Sequence, residues 1–197
     1  YLSMDIYRDE QEFETFKKLF NKAVKNNSNL PFVKHHKKEY GGNIPMWVAV
    51  ELFTMGNLHA VYDNLKTPYQ KAIAKSFDLS VVLMSSWIES LTYTRNHLAH
   101  YMRIYNFNFG RTPKKKKGQF ESPVPNMIFD QIQVMAYMYT DKTEWNDYIL
   151  PEMQSVIDEY KEYVSLSSIG FPENWREVLL SGSEAKADAK NTACSAV

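Results

Sequence analysis

The chain has 197 residues, of which 44% are hydrophobic and 14% aromatic, and its 23 lysines and arginines balance 23 aspartates and glutamates. This composition is typical of a folded protein, and it excludes a uniformly basic nucleic-acid coat and a highly charged disordered chain. Seven glycines and eight prolines are too few for a turn-rich all-β fold. The single cysteine, Cys194, excludes a disulfide framework and a cysteine-based zinc site, and it predicts a reducing, cytoplasmic setting.

The spacing of apolar residues predicts α-helices along nearly the whole chain, because these residues recur every three or four positions. In the first predicted helix, residues 13–24, an apolar face lies opposite lysines and glutamates. We predict neither a pair of strands nor an internal repeat, so the fold class is all-α, a helical bundle with a long central helix. Pro151 is expected to kink or split the last long helix. The remaining predicted helices cover residues 45–58, 67–77, 80–105, 127–139 and 144–166, with a helical turn through 175–179.

We expect one helical domain over residues 1–180, followed by a flexible tail over residues 181–197, where the residues are small and polar without periodicity. The chain begins at Tyr1 rather than at a methionine, which indicates a fragment or a trimmed chain. No apolar run approaches the roughly 18–20 residues of a membrane span, so no association with a membrane is expected. The core should contain all four tryptophans: Trp47, Trp87, Trp145 and Trp175.

The predicted helix over residues 80–105 separates an apolar stripe from a polar strip. With about 100° between successive residues, Glu89, Asn96, His100 and Arg103 fall on one side of this helix, away from the core. Arg95 lies at the edge of that strip. His97 lies to one side. The predicted buried stripe consists of Trp87, Leu91, Thr94, Leu98, Met102 and Tyr105.

Two interpretations of the polar strip are open. A histidine can donate or accept a proton near neutral pH, and an arginine can grip a phosphate with two hydrogen bonds while remaining charged. Asn96 could orient His100 from the preceding turn or bind a phosphate oxygen. The strip would then act on a phosphodiester. Alternatively, it is a solvated helix face with a surface ion pair, because an arginine and a histidine five residues apart are common on helices.

The order of residues in the strip narrows this choice. Residues 95–100 read Arg-Asn-His-Leu-Ala-His, which fits Arg-x4-His with a polar residue directly after the arginine. This pattern resembles the signature of the HEPN superfamily of helical ribonucleases. Further stretches resemble the Abi-like abortive-infection family of bacteria, and the whole resemblance covers roughly residues 1–180. These stretches are residues 44–51, 53–58, 71–75, 87–94 and 170–175.

The resemblance implies a HEPN-type helical bundle that acts as a metal-independent endoribonuclease in bacterial defence against phage. His100 would act as general base or acid, Arg95 would hold the scissile phosphate, and Asn96 would orient them. His97 is a further catalytic candidate. Because the attacking 2′-hydroxyl belongs to the RNA, we expect neither a metal nor another cofactor. HEPN nucleases usually work as pairs of facing motifs, which predicts a homodimer, and we expect the chain to lack a further N-terminal helical region that the family has.

The charge around the motif also favours RNA. Between residues 95 and 117 there are seven basic residues and no acidic ones, with Tyr101, Tyr105, Phe107 and Phe109 interleaved. Basic side chains hold a nucleic-acid backbone and aromatic rings can stack on unpaired bases. The same lysines could instead form a solvated loop and the aromatics could belong to the core. The predicted RNA-binding residues are Arg103, Arg111, Lys114, Lys115, Lys116 and Lys117.

A second function from another class shares the fold and the basic patch. The chain would then be a non-catalytic HEPN-like module that binds RNA, an antitoxin or a phage-derived trigger. A second basic stretch, residues 34–38, contains two adjacent histidines. Because adjacent side chains on a helix point about 100° apart, a shared metal ion is disfavoured and a basic surface that aids RNA docking is the better interpretation.

Overall fold

A computed structural model of the chain describes residues 2–117 and 122–180, and in these residues the secondary structure is helical apart from one isolated bridge between Tyr7 and Leu65. The all-α prediction is therefore confirmed. Residues 175–180 are also helical. The helices are α1 (Glu10–Asn26), α2 (Pro31–Glu39), α3 (Met46–Ala49), α4 (Met55–Asn64), α5 (Thr67–Ser76), α6 (Val81–Ala99), α7 (Ile128–Met138), α8 (Lys142–Glu144) and α9 (Leu150–Tyr160).

The chain divides into two compact units, Tyr1–Ile73 and Ala74–Val197. The single domain expected over residues 1–180 stays a prediction, and the two units are described separately below. The predicted tail over residues 181–197 lies outside the described residues. Among the described residues, no helix is both long enough and apolar enough to cross a membrane.

The core of the first unit is built around α1. Asp9 caps this helix by accepting a hydrogen bond from the Glu12 amide, and Phe16 and Phe20 are buried beneath it. The Tyr7 ring stacks on Phe16 with ring centroids 5.2 Å apart. Further buried residues of the cluster come from α2, α3, the segments beside them and the C-cap of α4: Val33, Ile44, Val48, Ala49, Leu52 and Leu65.

Two predictions for the first unit are wrong. The helix predicted over residues 45–58 is interrupted after a 3-10 turn at Val50–Leu52, and α4 starts anew at Met55. The reason is a capping box: the Asn57 amide donates to the Thr54 hydroxyl, and the Thr54 amide donates to the Asn57 side chain. Trp47 is 73% exposed rather than buried. It lies in the four-residue helix α3, of which Val48 and Ala49 are the buried residues.

The core of the second unit joins buried residues of α7, such as Phe129, to Leu150, Phe171 and Trp175 from the C-terminal part of the chain. Trp87, Trp145 and Trp175 are buried, as predicted. The helix predicted over residues 144–166 begins at Lys142 as α8, continues through a π-helical segment, Trp145–Ile149, and ends as α9 at Tyr160. Pro151 is the second residue of α9, two positions after this segment ends. A proline lacks an amide hydrogen and crowds the carbonyl four residues earlier, so the widened π turn accommodates it without a break.

Candidate active site at the end of helix α6

The motif of residues 95–100 lies at the C-terminal end of α6. This helix ends earlier than predicted. Ser80 caps the start of the helix, and His100 is its C-cap. The Tyr101 amide donates to the Leu98 carbonyl (3.1 Å) and the Met102 amide donates to the His97 carbonyl (3.0 Å). This pair of bonds is a Schellman motif, and it reverses the chain directly after His100.

Because α6 ends early, two predictions for the helix over residues 80–105 need correction: its polar strip and its buried apolar stripe. Arg103 and Tyr105 lie beyond the helix, so they share no helical face with the motif. Leu98 (48% exposed), Met102 (50%) and Tyr105 (39%) belong to no buried stripe, whereas Trp87 and Thr94 are buried as predicted. The sequence contains no glycine or proline at residues 95–106 that would indicate this end.

The three exposed polar residues of the motif lie together at the helix end. Arg95, Asn96 and His100 are exposed, and the Arg95 Nη1 donates a 3.2 Å hydrogen bond to the Asn96 Oδ1. The His100 amide donates to the Asn96 carbonyl at 3.1 Å. Arg95 and His100 are separated by about 7.5 Å along the helix axis, since each residue rises 1.5 Å. A guanidinium, an amide and an imidazole are thus accessible within about one and a half turns at the end of α6, and they are the groups needed to bind a phosphate and move a proton.

His97 is placed differently from the other motif residues. It is 6% exposed, and its ring lies 4.4 Å from Tyr93, 5.0 Å from Phe107 and 5.8 Å from Phe109, centroid to centroid. The two phenylalanines come from the segment after the motif, so His97 joins that segment to α6. This position suits a packing residue that supports the motif from beneath.

Glu89 of the predicted strip forms an ion pair with a predicted RNA-binding residue. Its carboxylate lies 3.1 Å from the Arg111 guanidinium, and both side chains are substantially exposed. The Gln131 side-chain amide also donates to the Arg111 carbonyl. Arg111 is the first residue of the stretch 111–117, which we call the basic segment. Its charge is balanced by Glu89, and its backbone is held against α7.

The rest of the basic segment runs back along α6 toward its N-terminus. The Lys114 amide donates to the Ser86 hydroxyl (3.0 Å), and the Trp87 indole donates to the Lys114 carbonyl (2.8 Å). Lys116 reaches the residues that precede the helix. From Arg95 to Ser86 the axial distance is about 14 Å, because nine residues each rise 1.5 Å. The basic segment therefore extends away from the motif along the length of one helix.

Lys116 differs from its neighbours because its ammonium group is bound within the protein. It donates to the Asp78 carboxylate (2.6 Å), the Asp78 carbonyl (2.8 Å) and the Tyr137 hydroxyl (2.6 Å). The hydrogen bond from Lys116 lowers the pKa of Asp78. Burial opposes the charge of Lys116, but its bonds to Asp78 and Tyr137 outweigh this, so its pKa is raised. Burial raises the pKa of Tyr137.

Four of the six predicted RNA-binding cations are exposed and form no ion pair with any described residue. They are Arg103, Lys114, Lys115 and Lys117. Arg111 and Lys116 have acidic partners. Among the described residues, no group of three or more histidine, cysteine, aspartate or glutamate side chains could hold a metal ion.

The aromatic residues after the motif also separate into two groups. Phe109 is buried and Phe107 is half-buried, whereas Tyr101 is 98% exposed. The Tyr105 hydroxyl accepts a 3.3 Å hydrogen bond from the Ser165 amide. Tyr101 has a φ of 53°, in the left-handed region. The sequence could not distinguish the exposed Tyr101 from the other three aromatic residues interleaved with the basic residues.

Comparison with known proteins gives one match. A family model described as Abi-like protein matches residues 1–106, which is more than half of the chain and includes the whole motif. The match ends before Arg111, Lys114–117 and residues 170–175, so the resemblance expected beyond residue 106 stays a prediction. No curated protein and no solved structure matches the chain.

Proposed function

Because the chain belongs to the Abi-like protein family, we propose that it is a HEPN-type, metal-independent endoribonuclease that acts in bacterial abortive infection. The observation that carries this proposal is the exposure of Arg95, Asn96 and His100 together at the C-terminal end of α6. These residues lie inside the matched part of the chain. They supply a phosphate-binding group, an orienting amide and a proton-transfer group without a metal.

The proposed reaction uses the RNA's own nucleophile. One His100 imidazole removes the proton of a 2′-hydroxyl, whose oxygen attacks the adjacent phosphorus. The bond from phosphorus to the 5′-oxygen breaks, and that oxygen takes a proton from an acid. The products are a 2′,3′-cyclic phosphate and a 5′-hydroxyl. Arg95 binds the phosphate and stabilises the charge that develops on it, Asn96 orients the arginine, and His97 holds the turn in place from the core.

A second copy of the chain completes this site. One turn supplies a single imidazole, whereas the reaction needs both a base and an acid. A twofold dimer would bring two copies of His100 and Arg95 into one cleft, so that one imidazole accepts a proton and the other donates one. Leu98 and Met102 support the dimer, since both are about half exposed beside the motif and large apolar side chains favour burial in an interface.

The exposed cations provide the RNA-binding surface. Lys114, Lys115 and Lys117 lie on the segment that follows α6, and Arg103 lies just after the motif. We infer that the bound RNA strand follows the basic segment and reaches the motif at the end of α6. Binding to phosphates releases counterions, so affinity should fall steeply with salt. DNA should bind to the same lysines but remain uncut, because it lacks the 2′-hydroxyl.

A non-catalytic function is the alternative, and the exposed apolar side chains are the observation that favours it. Leu98 lies within the motif, Tyr101 and Met102 follow it directly, and the three would also suit a protein partner such as an antitoxin or a phage-derived trigger. In that case the arginine and histidine would contribute to binding alone.

The test is an RNA cleavage assay with the purified chain in excess EDTA. The proposal expects cleavage to continue and the products to carry 2′,3′-cyclic phosphate and 5′-hydroxyl ends. A 5′-phosphate end, or activity that returns only with added Mg²⁺, would assign the chemistry to a metal nuclease. RNA binding without any cleavage would support the non-catalytic alternative.

A further inference from the structure

Tyr101 occupies an unusual position directly after His100. Its φ of 53° places it in the left-handed region, which glycine or asparagine adopts at lower cost than tyrosine at a helix end. Its side chain is 98% exposed. A tyrosine here thus carries a backbone cost at a position where its ring is almost wholly in water.

The other aromatic residues of this segment have partners within the protein. Phe107 and Phe109 pack on His97 and on each other, and the Tyr105 hydroxyl binds the Ser165 amide. Tyr101 alone of these four projects its whole ring beside the motif. The Schellman hydrogen bonds fix the backbone on both sides of it, so the ring is presented from a defined point one residue after His100.

We propose that Tyr101 is a base-stacking residue that holds an unpaired base of single-stranded RNA next to the scissile phosphate. This inference rests on the proposed ribonuclease function. Exposed cations close to Tyr101 in sequence favour RNA over a protein partner, since Arg95 lies six residues before it and Arg103 two residues after it, and both are exposed. Aromatic stacking accepts every base because each has a π face, so Tyr101 would select unpaired nucleotides rather than a particular sequence.

The variant Tyr101→Asn distinguishes the contribution of the ring from that of the backbone conformation. Asparagine suits the left-handed conformation, so this variant should keep the helix end while losing the stacking surface. Tyr101→Phe keeps the ring and removes the hydroxyl. Tyr163→Asn is the matched control, because Tyr163 is 78% exposed on the same unit and lies away from the motif in sequence.

The measurement is the affinity of the full-length chain for a fluorescent 2′-O-methyl RNA, which cannot be cleaved because its 2′-oxygen is blocked. We expect Tyr101→Asn to bind about 5- to 100-fold more weakly, as loss of one base–aromatic stack predicts. Tyr101→Phe and Tyr163→Asn should bind within about twofold of the parent chain. One abasic nucleotide placed at successive positions should weaken parent binding at one position and leave Tyr101→Asn insensitive there.

Three results would overturn the stacking role: unchanged affinity in Tyr101→Asn, an equal loss in Tyr101→Phe, or conversion of Tyr101→Asn to a different oligomeric state. The last would assign the ring to an interface between copies. Cleavage of ordinary RNA in EDTA tests the proposed function separately. Parent cleavage with unchanged Tyr101→Asn affinity removes this inference alone, whereas Tyr101-dependent binding without cleavage removes the proposed reaction alone.

Discussion

The indole Nε1 of Trp87 donates a 2.8 Å hydrogen bond to the backbone carbonyl oxygen of Lys114. The tryptophan is fully buried on α6, so its hydrogen bond fixes the basic segment to the helix that ends in the motif. A buried indole requires an acceptor, and a carbonyl of the basic segment provides one. Lys114 and the lysines that follow it are thus presented along α6 rather than on a freely moving loop.

Reversing the charge of the exposed lysines should weaken RNA binding with little effect on the stability of the fold. Changing Lys114, Lys115 and Lys117 together to glutamate removes phosphate contacts without breaking an ion pair among the described residues. Because each contact with single-stranded nucleic acid contributes about 0.7 to the slope of log K against log salt, we expect the slope to fall by about 2. Fluorescence anisotropy across a salt series measures this.

Reversal of three exposed lysines on α1 is the matched control. Lys18, Lys22 and Lys25 are exposed and are not among the predicted RNA-binding residues, and the triple substitution changes the net charge by the same amount. It should keep most of the salt slope. Equal losses in the two variants would show that net charge, rather than the basic segment, determines RNA binding.

Replacing His100 should remove cleavage and spare RNA binding. His100→Ala deletes a proton-transfer group, and such groups typically contribute about 10²–10⁴-fold to a rate. Arg95→Ala should reduce both cleavage and affinity, since the arginine also binds the phosphate. Rates come from labelled RNA in EDTA, and affinities come from the uncleavable analogue.

His97→Phe is the control within the same motif. His97 is buried among aromatic rings, so phenylalanine should preserve its packing, and this variant should keep most of the cleavage. A parent-like rate for His100→Ala would remove His100 from the mechanism. A complete loss of cleavage in a stable His97→Phe would transfer the proton-transfer role to His97.

A charge placed beside the motif should prevent the proposed dimer. Leu98→Glu introduces a carboxylate at a half-exposed apolar position, and burying that charge in an interface would be unfavourable. We expect the parent chain to be a dimer by multi-angle light scattering at micromolar concentration, and Leu98→Glu to be a monomer that no longer cleaves RNA. Val82→Glu, at the other end of α6 and 57% exposed, should remain a dimer. An active parent monomer would contradict this arrangement.

The ion pair between Asp78 and Lys116 should make part of the stability depend on pH. The pKa of Asp78 is lowered in the folded chain, chiefly by the hydrogen bond from Lys116, so its contribution is present above the carboxyl's unfolded pKa and is lost as pH falls through the folded pKa. Asp78→Asn should lower the free energy of unfolding at pH 7 by at most about 1 kcal/mol, since the aspartate is largely exposed and screened by solvent.

Urea unfolding of both proteins between pH 7 and pH 2.5 tests this. The difference between parent and Asp78→Asn should shrink below about pH 4 and approach zero in acid, where the carboxyl is protonated in both the folded and unfolded states. Asp147→Asn, at another exposed aspartate of the same unit, should leave the stability curve nearly unchanged. A difference that stays constant across this pH range would contradict the ion-pair origin.

The sequence by itself determined the helical class and the family. The three-to-four-residue spacing of apolar side chains predicted α1, α5 and α7 to within a few residues, since this period is a local property of the backbone. Stretches of residues before the motif resembled the Abi-like family, and a family model confirms that membership over residues 1–106.

Only the tertiary structure decided where α6 ends and which of the candidate groups remain exposed. The apolar period continues past Ala99, but Phe107 and Phe109 turn back onto His97, and their packing outweighs the continuation of the helix. The same fold binds Lys116 to Asp78 and leaves Lys114, Lys115 and Lys117 in water, although the four are consecutive residues of the same type. Contacts with residues 21 to 38 positions away make that distinction, and no local pattern contains them.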